Sequence, residues 1–101
     1  MRLSVSQLEI IKHFVSRVFE KEQGYQLWLF GSQMDDAVKG GDVDLCLIAD
    51  MEPEPLLQIK LQLRPKLEEA LDIPVDLVTQ SQQRPIKTIT QQAIENGLRL
   101  L

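Results

Sequence analysis

Asp42 and Asp44 stand two residues apart at the head of a run that is otherwise apolar, Val43-Asp44-Leu45-Cys46-Leu47-Ile48-Ala49. Its length and composition predict a strand over 42–49, placed inside a sheet. Alternate side chains of a strand share a face, so Asp42 and Asp44 project together while Val43 and Leu45 point the other way. Aspartate is depleted in strands, and two like charges side by side repel each other. A fold that keeps both must compensate that charge, with solvent at the strand's start or with a divalent cation. Magnesium prefers hard oxygens and commonly takes one or two carboxylates plus phosphate oxygens.

Two further segments bear on this pair. Upstream, Tyr25–Phe30 is short, apolar and aromatic-rich, which predicts a buried strand that stops at Gly31-Ser32. Glycine lets a chain approach a phosphate closely, backbone N–H groups at such a turn attract anions, and the Ser32 hydroxyl can add a hydrogen bond. Downstream, Asp76 interrupts Ile73-Pro74-Val75-Asp76-Leu77-Val78, a third predicted strand whose Pro74 suits an edge position or a strand start. If that strand lies beside 42–49, Asp76 joins the other two carboxylates. There it can share in holding metal or accept a proton from an attacking hydroxyl.

The rest of the chain reads as helices and turns. Ser6-Gln7-Leu8-Glu9 fits a capping box, and Leu8, Ile11, Val15 and Val18 recur at helical spacing, widened by Phe14 and Phe19. A first helix is expected from about Gln7 to Lys21, closing near Gly24, with His13 on its solvent side. Met51–Pro55 reads as a turn. Leu56, Ile59, Leu63, Leu67 and Ala70 then mark a second helix, with a kink or break expected at Pro65. Gln80-Ser81-Gln82-Gln83 reads as a polar loop. A last helix opens near Pro85, with Ile86, Ile89, Ala93 and Ile94 inward, and ends at Gly97 before a short strand over 98–101. The order α-β-β-α-β-α-β predicts an α/β (α+β) packing of one small mixed sheet with its helices, in a single domain over 1–101.

Composition narrows the function. A net charge of -4 over 101 residues disfavours direct nucleic-acid binding, which wants a basic face. The single cysteine, Cys46, is expected to be a buried inert thiol and suits a cytoplasmic location. No stretch approaches a membrane span, and Met1-Arg2-Leu3-Ser4 does not lead into a signal-like apolar run. The glycine patterns of phosphate loops and dinucleotide folds are absent, and one His with one Cys supplies neither a zinc cluster nor a His-dependent triad.

Three pieces together, Phe30-Gly31-Ser32, Gly40-Gly41-Asp42-Val43-Asp44-Leu45 and Pro74-Val75-Asp76-Leu77-Val78, resemble a minimal nucleotidyltransferase of the DNA polymerase beta superfamily. The likeness is close to the MntA-like antitoxins that pair with HEPN toxins. It extends through the closing helix and Glu95-Asn96-Gly97-Leu98-Arg99-Leu100, and so covers nearly the whole chain. The resemblance implies a nucleotidyltransferase-like fold in which Gly31 and Ser32 hold the triphosphate while Asp42, Asp44 and Asp76 bind Mg²⁺. It also implies transfer of AMP from ATP to a hydroxyl, a tyrosine of a HEPN RNase toxin in the antitoxin branch. Two departures stand out. Met34-Asp35-Asp36 replaces the Ala-Arg-Gly common after Gly-Ser, and the segment up to Asp42 is slightly short. Lys39 is then the nearby cation, expected either to steady a phosphate or to sit solvated in the loop. The alternative to catalysis is a binding antitoxin that neutralises its toxin by occlusion. Transfer to a small molecule such as an aminoglycoside usually involves a further domain for the acceptor.

Overall fold

A computed structural model describes residues 3–34 and 41–101. The elements are α1 (Val5–Ser16), β1 (Tyr25–Phe30), a 3-10 turn (Gly31–Met34), β2 (Val43–Ala49), α2 (Pro53–Leu71), β3 (Val75–Ser81), α3 (Thr88–Asn96) and β4 (Leu98–Arg99). The four strands form one mixed sheet in the order β3-β2-β1-β4. β1 runs antiparallel to β2 and β4, whereas β2 and β3 are parallel. Parallel neighbours need a long crossover, and the 19-residue α2 supplies it.

The sheet has two faces of different character. Leu27, Leu29, Val43, Leu45, Leu47, Val75 and Leu77 form the main core with Ile11 and Val15 of α1 and Leu56, Leu63, Leu67 and Leu71 of α2. On the opposite face, Trp28, Phe30, Cys46, Ile48 and Val78 pack with Ala93 and Ile94 of α3. The carboxylates belong to this second face, on the row Phe30–Asp44–Asp76, one strand step beyond Trp28–Cys46–Val78.

Several expectations need correction. α1 starts earlier, because Ser4 and not Ser6 is its N-cap. Gln7 N–H donates to Ser4 Oγ at 3.1 Å, and Ser4 N–H donates to Gln7 Oε1 at 2.8 Å. Choosing Ser4 lets Leu3, just before the cap, enter the core with Leu8, the pairing that fixes the entry of a chain into a helix. The helix also stops sooner, at Ser16. Phe19 leaves the helical path to stack on Tyr25 with ring centroids 4.2 Å apart, so Val18 is exposed. Of the kink or break expected at Pro65, the break is absent, since α2 is one helix from Pro53 to Leu71. The proline and Leu61, whose carbonyl loses its donor there, both lie on the exposed side of the helix, where water can replace the bond.

The supposed polar loop at Gln80 is the end of β3, and Gln80 and Ser81 are buried. Gln80 Oε1 accepts from Lys87 N–H at 2.9 Å and Thr90 Oγ1 at 2.8 Å, while its Nε2 donates to Ser81 O and to Pro85 O. Ser81 Oγ donates to Met51 O at 2.6 Å. These bonds dock α3 through Thr90 and Ala93. Ile86 and Ile89, expected inward, are consequently exposed. Replacing Gln80 by Ala strips partners from Thr90 and from three backbone groups at once. It is expected to destabilise the fold by about 2–3 kcal/mol in urea unfolding, with little change in m.

Candidate active site

The site grows from where two strands end. β1 leaves the sheet at Phe30, and Gly31 takes φ +77°, a left-handed conformation that glycine adopts without a steric penalty. Phe30 pairs with Asp44 across the antiparallel ladder, which brings the start of the turn over that carboxylate. A Cβ at position 31 would fall on the Asp44 carboxylate, with Asp44 Cβ itself only 3.2 Å away. Glycine is therefore required here twice, by torsion and by contact. At the other end of α3, a Cβ on Gly97 would lie 2.6 Å from Leu29 O, so this second glycine lets the helix end press onto β1.

Asp44 pairs in register with Asp76 on the parallel strand, so the two carboxylates share one face of neighbouring strands, roughly 4.8 Å apart at the backbone. Asp42 lies just before β2 and is exposed, as is Asp76, while Asp44 is half-buried. Burial pushes the Asp44 carboxyl above its ordinary value, and the charges of Asp76 and then Asp42 push it further. Asp44 thus feels the charges of both other acids. Among the described residues no three acidic, His or Cys side chains are already gathered as a closed metal cluster. Their oxygens are nevertheless the hard donors that suit magnesium, and a divalent cation would relieve the repulsion that raises Asp44.

Sequence reasoning missed Gln33. It is almost fully buried, and its Nε2 donates to Asp42 O at 3.0 Å, tying the glycine turn to the segment carrying the first aspartate. A glutamine within a polar loop gives no signal of such a role. Ser32 has its backbone in the turn, with its side chain outside the described set; Lys39, Asp35 and Asp36 also lie outside the described residues. Cys46 is buried one step behind Asp44, and its thiol is pushed up by burial, partly offset by Thr90 and Lys87, which fits an inert core thiol. His13 is exposed on α1, with its ring edge against Phe14.

A small mixed sheet that presents carboxylates from two parallel strands beside a strand-end glycine turn defines the class, a nucleotidyltransferase-like fold. The sequence pattern of the family described as Polymerase beta, Nucleotidyltransferase matches residues 11–101, and the chain belongs to that family. Among curated proteins none matches the chain by sequence. Solved structures similar in fold include a toxin-antitoxin complex, MntA-HepT, at 22% identity over 97% of this chain and 72% of that chain, with a TM-score of 0.65. A toxin-antitoxin structure with AMP-PNP is similar at 22% identity over 98% and 73%, with a TM-score of 0.66. A tri-AMPylated Shewanella oneidensis HEPN toxin in complex with its MNT antitoxin is similar at 21% over 93% and 71%, with a TM-score of 0.58. At these identities the likeness shows the fold alone.

Two outcomes follow from the packing at Asp44. Gly31→Ala forces a strained torsion and displaces the carboxylate, which is expected to cost about 1–3 kcal/mol of stability in urea unfolding. Asp44→Asn should act oppositely. A carboxyl whose native pKa is raised favours folding only at acid pH, and that contribution is lost as pH rises through the native value. At neutral pH with EDTA, the Asn variant should melt higher than wild type, by only ~2–4 °C because solvent screens the charges. The gap should close as the pH is lowered.

Proposed function

We propose that this chain transfers AMP from ATP to a hydroxyl, with a tyrosine of a HEPN-type toxin as acceptor, and so acts as the antitoxin. Asp42, Asp44 and Asp76 would hold Mg²⁺, and the turn at Gly31 and Ser32 would receive the triphosphate, with Lys39 of the following segment as a further phosphate-binding candidate. The observation that carries the reading is the in-register pair Asp44–Asp76 beside Gly31, whose missing side chain keeps the carboxylate open to a ligand. Structures of the same fold with AMP-PNP, and with an AMPylated HEPN toxin, support the choice of nucleotide and partner.

Magnesium, when bound, supplies charge neutralisation for the polyphosphate and lowers the pKa of the acceptor hydroxyl. The chain's own residues provide position. Gly31 leaves the main chain bare, so a phosphate oxygen can approach it closely. Gln33 keeps Asp42 at a fixed distance from that turn. Asp76 is exposed on an edge strand and would accept the proton of the incoming hydroxyl. The acceptor oxygen forms a bond to the α-phosphorus, the bond from that phosphorus to the bridging oxygen breaks, and pyrophosphate leaves with the electron pair. The catalytic contribution is orientation and electrostatics, with no covalent intermediate on the protein.

Incubation with α-labelled ATP, Mg²⁺ and the toxin should label the toxin. Asp44→Asn should slow labelling about 100-fold or more, the scale of removing one key electrostatic group. Equal absence of label with wild type and variant sinks the transfer reading for that partner. A variant that cannot label yet still silences the toxin in cells identifies occlusion as the antitoxin mechanism.

A further inference from the structure

Beside the carboxylate row lies a recess of different chemistry. Phe30 at the end of β1, Gly31 and Met34 of the turn, and Gln92 and Asn96 of α3 line an open recess of about 390 Å³, a size usual for small-molecule sites. Gly31 belongs to both places, since it lines the recess and abuts the Asp44 carboxylate. A ligand whose phosphates engage the carboxylate row therefore reaches the recess without leaving the surface.

The two α3 residues give the recess its character. Gln92 and Asn96 are one helical turn apart, on the same side of the helix. Both are exposed, and among the described residues neither carboxamide has a hydrogen-bond partner, whereas the neighbouring Gln91 is tied to Glu95 at 2.7 Å. A carboxamide offers N–H donors and a C=O acceptor with no charge. That is poor chemistry for a polyphosphate or a metal ion. It is good chemistry for the edge of a nucleobase, which Asn and Gln meet with a donor and an acceptor side by side. Phe30 and Met34, both half-buried, add an aromatic and a polarisable wall for the flat ring. The recess adjoins the Phe30 end of the row Phe30–Asp44–Asp76, and Asp76 occupies the other end. Nucleoside and acceptor hydroxyl then need not compete for one space.

We infer that this recess takes the nucleoside of the triphosphate, and that Gln92 and Asn96 are specificity-determining residues that read the base through their carboxamides. The inference rests on the nucleotidyl-transfer reading above. The test is calorimetric titration of the intact chain in Mg²⁺ with ATP, GTP, CTP, UTP and inorganic tripolyphosphate. Wild type should discriminate among the four nucleotides. Gln92→Ala and Asn96→Ala should each lose up to about tenfold of that discrimination, the worth of one good hydrogen bond, while tripolyphosphate binds as before. Gln92→Glu, a near-isosteric change at an exposed helix position, provides a variant that keeps the fold if Asn96→Ala loosens the end of α3. The inference is overturned if wild type binds all four equally, if the ratios survive in the variants, or if tripolyphosphate loses as much as the nucleotides. It is also overturned if the variants change only the KM for the toxin, which would assign the recess to the acceptor. A wild type that binds no triphosphate removes the transfer reading itself, a result distinct from all of these.

Discussion

The close approach of Gly31 to the Asp44 carboxylate organises this molecule. It depends on the β1–β2 register, which sets Phe30 opposite Asp44, and it forces the chain to leave β1 through a left-handed glycine. A slip of one residue in that register would send Asp44 into the packed face and Leu45 out of it. The apolar alternation of β2 against α1 and α2 is thus the same constraint that keeps the carboxylate on the open face. Gln33 closes the arrangement by holding Asp42 to the turn.

Stability and chemistry are divided between the two faces of one sheet. The α1–α2 side carries most of the buried aliphatic residues and holds the strands in place. The α3 side covers the middle of the strands and leaves their ends uncovered, where Asp44 and Asp76 sit. Partly burying Asp44 and setting like charges beside it oppose folding, and both push its carboxyl up. The packing on the other face offsets that cost. Gly97 and the buried Gln80–Thr90 bond set how closely α3 approaches β1, and therefore the width of the recess between them.

Much of this was legible in advance wherever a strong local signal and the tertiary demand coincide. β1 occupies the expected residues, and β2 begins one residue after Asp42. Their composition leaves no competing period. The misreadings share another cause. Ser4 and Ser6 both head a plausible capping box, and the burial of Leu3 decides between them. Pro65 does not split α2, because it and the carbonyl it frees lie on the exposed side, and exposure is not a local property. Gln80 looks like loop because a buried glutamine is uncommon; four hydrogen bonds from residues as distant as Thr90 make it acceptable. Ile86 and Ile89 fit an inward stripe by spacing alone, yet α3 docks through Thr90 and Ala93.

Residue order alone points to two aspartates at the head of one strand, to a glycine-serine turn that ends the preceding strand, and to a third acid in a later strand, because side-chain alternation and turn chemistry are properties of a few consecutive residues. It leaves undecided whether Asp76 meets the others. That depends on β3 lying parallel beside β2 in the register Asp44↔Asp76, which the α2 crossover and the packing of the main core select. Contacts between residues more than thirty positions apart are chosen by how whole surfaces fit, and no local pattern contains that information.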